Sequence, residues 1–421
     1  MRRFAILVSL FFLAQGLARG QGEGPEETQA RLQALEERIL ALEAEVRALK
    51  GQRASEPSAE SVAPIAASAP ATMAPAPVAA GVAGASPTQL PAYGGATAAA
   101  KILNPDISVI GDFLGAVGKD PGRDIPTLEM HETEVGFQAI VDPYARGDVF
   151  LSFGRRGVEL EEGFLTFTSL PGGFVAKVGK MRSAFGVVNS LHTHNLPWTD
   201  RPQVTENLLG GEEGISDAGL SVSRILPAPK NVFLEATAQV FRGDSEGVFS
   251  ATNRRDVAFV GRLRGYHDLT ESSNLDLGFS YARGHNDLGS AFRTQLLGVD
   301  ATYRWKPLRR AVYHSFLART ELVWSRREEM NAIQRAFGFY TAADYRLSRR
   351  WTVGGRYDRS GRADNALVTD SGFSPVLTYW PSEFSQVRWQ YRFTRYPDGR
   401  SGNDVFLQFL FALGAHGAHP F

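Results

Sequence analysis

Residues 385–393 read SQVRWQYRF, and the fold turns on this stretch. Val387, Trp389, Tyr391 and Phe393 alternate with Gln386, Arg388, Gln390 and Arg392. Successive side chains of a strand point to opposite faces, so a strand here has one aromatic side and one charged side. The same split recurs in Leu297, Val299, Ala301, Tyr303 and Trp305 against Gly298, Asp300, Thr302 and Arg304. It appears again in Thr133, Val135, Phe137 and Ala139 against Glu132, Glu134, Gly136 and Gln138, while Val405, Leu407, Phe409, Phe411 and Leu413 line one face of the last segment.

Working outward, about sixteen such segments start near Asp106, Glu129, Arg146, Val158, Phe174, Ile215, Asn231, Asp256, Ser273, Arg293, Val312, Ile333, Arg350, Ser371, Glu383 and Asp404. Most have the roughly 9 to 11 residues that a tilted strand needs to cross a bilayer. Connections after even-numbered segments are brief, as at 142–145, 170–173, 226–230, 269–272, 347–349 and 380–382; those after odd-numbered segments are usually longer and richer in Gly, Asp and Asn, as at 243–255 and 360–370. Short turns alternating with long loops fit a transmembrane antiparallel β-barrel, and an even count puts both termini on one side. A soluble β-sandwich also alternates. Aromatic placement separates the two: Trp305, Trp324, Trp351, Trp380, Trp389, Tyr303, Tyr345, Tyr357 and Tyr391 fall mostly near segment ends, where interfacial girdles belong.

Ahead of the barrel, taken as 101–421, the chain divides into three. Residues 1–20 read as an export signal, with Arg2 and Arg3, an apolar core from Phe4 to Leu13 too short to span, and small Gly16 and Ala18 near a cleavage site. In 25–50, Leu32, Leu35, Ile39, Leu42, Val46 and Leu49 recur at spacings of three and four, the seam of a short α-helical coiled coil that one helix cannot bury alone; dimer and trimer both fit. Residues 51–100 are rich in Ala, Pro and Ser and read as a disordered linker, because they hold too little apolar surface to offset chain entropy. After the first twenty residues no apolar run approaches the roughly 18 residues of a spanning helix, so any membrane insertion uses strands. The 45 basic and 45 acidic residues balance, which argues against a nucleic-acid partner, and the absence of cysteine removes disulfides and thiolate chemistry.

Signal, stalk, linker, an even-stranded barrel and the terminal Phe421 together resemble Gram-negative outer-membrane porins, and the coiled coil before the barrel is similar to the phosphate-selective porin family. The resemblance implies an outer-membrane location, contact with outer-membrane lipid, a homotrimer through stalk and barrel, and insertion by the barrel-assembly machinery, which reads either Phe411 or Phe421. It also implies that the longest connection, 186–214, folds inward after the fifth strand as a constriction loop, with Asp200, Arg201, Glu206, Glu212 and Glu213 as its charged residues.

On the polar faces, the expected pore-lining residues are Glu132, Glu134, Glu162, Lys177, Arg182, Arg262, Arg264, Arg304, Arg356, Arg388 and Arg392. Acidic early strands facing basic later ones give a transverse field or, equally, a set of satisfied luminal salt bridges. Lys177 and Arg182 share a face only if a bulge intervenes or Arg182 lies beyond the lipid. His192 and His194, with Asp200, form a weak metal candidate, and the expectation is no cofactor and no bound metal, these histidines serving as ordinary loop residues like His416 and His419. No phosphate loop, nucleophile elbow or metalloprotease helix occurs, and His314 beside Ser315 is adjacency only, so no enzyme is expected. The expected function is passive diffusion of small hydrophilic solutes or ions through a wet lumen. The alternative is a structural tether, in which the stalk contacts the cell wall and the lumen is closed. Deleting residues 29–50 is expected to leave per-channel conductance in planar bilayers unchanged, whereas a tether would lose its attachment to the envelope.

Overall fold

The computed structural model describes residues 105–123, 125–155 and 157–414. The expected signal, stalk and linker lie outside the described residues, as do His416, His419 and Phe421. The described residues form sixteen strands: β1 (Asp106–Lys119), β2 (Leu128–Asp142), β3 (Ala145–Gly154), β4 (Gly157–Leu170), β5 (Phe174–Arg182), β6 (Ser216–Leu226), β7 (Val232–Phe241), β8 (Ala258–Thr270), β9 (Ser273–Asn286), β10 (Gly289–Trp305), β11 (Ser315–Glu328), β12 (Ile333–Arg346), β13 (Trp351–Gly361), β14 (Thr369–Ser382), β15 (Ser385–Arg395) and β16 (Ser401–Gly414). Each pairs antiparallel with its sequence neighbours, and β1 closes on β16 from Ser108↔Gly414 to Lys119↔Asn403. Closure leaves no edge strand among the described residues, so each strand has a hydrogen-bonded neighbour on both sides.

The polarity of the barrel is inverted relative to a water-soluble protein. On β15, Gln386, Arg388, Gln390 and Arg392 are buried, while Trp389, Tyr391 and Phe393 are 37–40% exposed. On β16, Asp404 and Gln408 are buried while Val405, Leu407 and Phe409 face outward. A soluble sandwich would bury the other face, so the exposed apolar rows call for lipid. Outward aromatics cluster in two bands. At the end carrying both termini, Trp351 contacts Tyr379 and stacks on Trp389 (ring centroids 4.6 and 6.2 Å), and Tyr303 meets Phe316. Nearer the opposite end, Trp324, Phe337, Phe339 and Tyr357 make a continuous run.

Observed strands begin within four residues of the expected starts. The largest offset is β10, which starts at Gly289 instead of Arg293, because pairing with β9 is irregular between these residues and regular alternation begins only at Arg293. Sorting of connections by length holds only in part. The loop end does carry 183–215 and 242–257, yet β4 and β10 follow their preceding strands closely there, and their first residues Gly157 and Gly289 adopt positive φ. At the termini end, 306–314 is longer than a turn.

β4 holds a bulge. Phe150 of β3 pairs with Glu162 but Leu151 pairs with Leu160, so Glu161 is the extra residue. Val158 and Leu160 point out before it and Leu165 points out after it, and both Glu161 and Glu162 consequently turn inward. In β5, by contrast, pairing with β6 runs unbroken from Phe174 to Arg182. Lys177 and Arg182 therefore reach the same lumen without a bulge, because Arg182 is the last strand residue, where the chain is already turning inward.

Lipid on the outer face gives a depth-matched test. Phe279, at the middle of β9, is 48% exposed, and Thr237, at the middle of β7, lines the lumen. Phe279→Arg should lower unfolding free energy in lipid by about 2–4 kcal/mol, against less than about 1 kcal/mol for Thr237→Arg. Equal costs in denaturant titrations would mean the outer face does not meet lipid.

Candidate functional site

Between β5 and β6 the chain runs inside the barrel as the inward loop 183–215, which carries one short helix, α1 (Gln203–Leu208), packed against β12 and β13. Asn189 ties the base of the loop together. Its Nδ2 donates to Ser183 O and Ile215 O at 3.0 Å each, and its Oδ1 accepts from Ile215 N at 2.7 Å. Glu321 on β11 accepts from Val187 N and Val188 N (2.6 and 3.2 Å).

The loop's apolar side chains break the polar pattern of the inner face. Phe185, Val188, Leu196, Trp198, Val204 and Leu208 join Val260, Ala282, Leu296, Val323, Tyr340 and Val376 of the barrel in one buried cluster. Burial of this cluster away from the polar luminal wall is driven by the hydrophobic effect, at roughly 1.5–3 kcal/mol for each large side chain. The loop's buried ion pairs lose to desolvation much of what their attraction gains, so packing holds the loop in and charges set its orientation. Trp198 is fully buried, with Tyr340 edge-on at 5.3 Å, Arg356 over its ring at 4.7 Å, and its carbonyl accepting from Arg388 at 3.0 Å.

Two charge clusters flank the loop. Asp200 binds Arg356 at 3.1 Å and Arg392 at 3.2 Å, accepts from Gln390 Nε2 at 2.6 Å, and lies 3.8 Å from Arg123. Arg123 also pairs with Glu206 of the loop. Burial opposes ionisation of Asp200, but Arg356, Arg392 and Arg123 outweigh it and hold the carboxyl well below the usual carboxylate range. The second cluster joins the early strands to the loop: His192 meets Glu134, Glu161 and Glu162 at 2.5, 2.7 and 2.8 Å, and His194 lies 3.7 Å from Glu134. Arg182 reaches Glu161 at 3.4 Å and donates to Glu213 O at 2.7 Å, and Glu132 is buried nearby.

Most of the eleven residues read as pore-lining are ion-paired or hydrogen-bonded within the protein. Arg262 pairs with Asp300 (2.9 Å), Arg264 with Asp276 (2.6 Å), Arg304 with Asp276 (3.6 Å), Arg356 with Asp358 (2.7 Å) and Arg392 with Asp404 (2.7 Å). Arg388 donates to Gln408, and Lys177 lies over the Phe164 ring at 4.4 Å. On the loop, Asp200 and Glu206 enter the arginine cluster. Arg201 is buried and donates to Val188 O and Leu191 O, which makes it a brace for the loop rather than a free luminal charge. Glu212 and Glu213 line the cavity at the loop end. His192 and His194 are buried within the acidic cluster and Asp200 lies in the arginine cluster; reading the histidines as ordinary polar loop residues, and grouping them with Asp200, are both corrected by the fold. Sequence reading also passed over Glu161, Glu321, Trp198 and Arg123. The adjacent pair Glu161-Glu162, which interrupts a period-two strand, was the available signal for the bulge.

Two cavities in the lumen differ in charge. One of about 1050 Å³ faces the termini end and is predominantly basic, with Lys177, Arg264, Arg304, Lys306, Arg319 and Arg346. Another of about 500 Å³ faces the loop end and is predominantly acidic, with Glu129, Glu132, Glu159, Glu161, Glu212 and Glu213. Charge is thus separated along the axis as well as across it. The Arg182–Glu161 pair joins the linings of the two.

No protein-family profile matches the sequence. An uncharacterised protein of Aquifex aeolicus is 28% identical over 398 residues, covering 79% of this chain and 83% of that one. Among solved structures, the anion-selective porin of Comamonas acidovorans (10% identity, 73% of this chain and 99% of that one, TM-score 0.53) and OmpF of Salmonella typhi in complex with daunomycin (10%, 74% and 99%, 0.51) share the fold. So does the outer-membrane channel DcaP of Acinetobacter baumannii (15%, 74% and 96%, 0.50). The barrel therefore has the architecture of sixteen-stranded outer-membrane porins.

Asp200→Asn should destabilise the barrel by about 3 kcal/mol, at the low end for a broken buried pair because Arg356 and Arg392 keep Asp358 and Asp404. Because folding favours the ionised form, the Asp200 contribution is complete above about pH 4 and is lost only as pH falls through the depressed value. Denaturant midpoints should show the gap between wild type and variant unchanged from pH 8 to pH 5.

Proposed function

We propose that this protein is an outer-membrane porin that lets small hydrophilic solutes or ions diffuse through its lumen. One observation carries the reading: charge-lined cavities at opposite ends of the barrel, with the inward loop between them. A charge in such a lumen avoids lipid and biases whatever permeates. The termini end is assigned to the periplasm and the loop end to the outside, and a homotrimer through stalk and barrel is the assembly proposed, with insertion by the barrel-assembly machinery. The resemblance to the phosphate-selective porins belongs to this reading too, since the basic cavity suits an anion that has passed the constriction. Because most luminal arginines already have acidic partners, selectivity falls to the charges left over, of which Lys177 in the basic cavity is the cleanest to alter.

Purified protein in planar bilayers should give stepwise conductance. Lys177→Glu should move the reversal potential in a salt gradient towards cations while leaving the barrel folded. Absence of any channel would remove the porin reading and leave the tether.

A further inference from the structure

We propose that His192, His194 and Glu134 form a binding site for one divalent transition-metal ion of the zinc class, with Glu161 beside it, clamping the inward loop to β2 and β4. Ligand atoms of Glu134, His192 and His194 lie within 4.8 Å of one another, and all three residues are buried. Two imidazoles and one carboxylate are a donor set that takes Zn²⁺ or Co²⁺ and leaves a fourth position open. The fold builds this set from three places: β2 supplies Glu134, the β4 bulge turns Glu161 inward, and His192-Thr193-His194 sits at a 3-10 turn of the loop.

Hydrogen bonding alone accounts poorly for the geometry. His192 Nδ1 faces Glu134 Oε2 at 2.5 Å and Glu161 Oε2 at 2.7 Å, and one N–H serves one of them. One dication among Glu134, His192 and His194 would accept a lone pair from each of the three. A second observation points the same way. Glu132 is 6% exposed and its Oε1 has no hydrogen-bond partner, and its carboxylate converges with those of Glu134 and Glu161 within 4.8 Å. A buried carboxylate oxygen without a hydrogen-bond partner, next to Glu134 and Glu161, is a setting in which a metal ion supplies positive charge. The site does not depend on whether the barrel conducts.

The test uses the full chain in detergent, stripped with a chelator and titrated with Co²⁺ and then Zn²⁺. Wild type should take up about one Co²⁺ per chain with a visible absorption band, displaced by Zn²⁺. His194→Ala should weaken uptake by roughly 100-fold or more. His194→Gln serves if the alanine variant loses its heat-modifiable migration on gels, and a His416→Ala/His419→Ala double variant should bind as wild type. Hydrogen exchange across residues 190–196 should slow on metal binding. The proposal is overturned if wild type takes up no stoichiometric ion, if binding survives loss of His194, if it disappears only with His416 and His419, or if Ca²⁺ or Mg²⁺ competes on equal terms.

Discussion

Hydrogen bonding between β1 and β16 is the constraint on which the molecule depends. An open sheet of sixteen strands would leave two rows of unpaired backbone groups, and in hydrocarbon each such group costs several kcal/mol. The ladder from Ser108↔Gly414 to Lys119↔Asn403 removes both rows. Once the sheet closes, its two faces become an outside and an inside. The aromatic rows of Trp389 and Phe409 then meet lipid and the polar rows of Arg388 and Gln408 enclose a lumen.

A barrel of this size cannot be filled by side chains from its own wall. The loop 183–215 occupies the space, held by different physics on its different sides. Towards β8–β14 it packs as a soluble protein would, with Trp198 and Phe185 excluded from water. Towards β2 and β4 it presents His192 to carboxylates, and towards β13 and β15 it presents Asp200 to arginines. Apolar packing sets the position of the loop, while the two ionic contacts, opposite in sign, fix its orientation. The result is a lumen acidic at one end and basic at the other, with the Arg182–Glu161 pair between the two linings.

Much of the barrel was legible because strand periodicity is local. SQVRWQYRF discloses its two faces without reference to any other segment, and so do Leu297–Trp305 and Val405–Leu413. Luminal arginines could be named for the same reason: Arg388 and Arg392 must share a face. Reading failed where the period itself broke, as at Glu161, or where a single glycine of positive φ opens the next strand, as at Gly157 and Gly289.

The sequence by itself determined a closed, lipid-facing, charge-lined barrel and the inward loop that porin resemblance implied. Partnerships within the lumen were decided only by the tertiary structure. Asp200 meets Arg392 across 192 residues of chain, and His192 meets Glu134 across 58. Such meetings depend on where closure places distant strands and on the path a loop takes between them, and neither leaves a period in the sequence. Two histidines that look unremarkable in a polar loop become the centre of an acidic cluster because the barrel wall is brought to them.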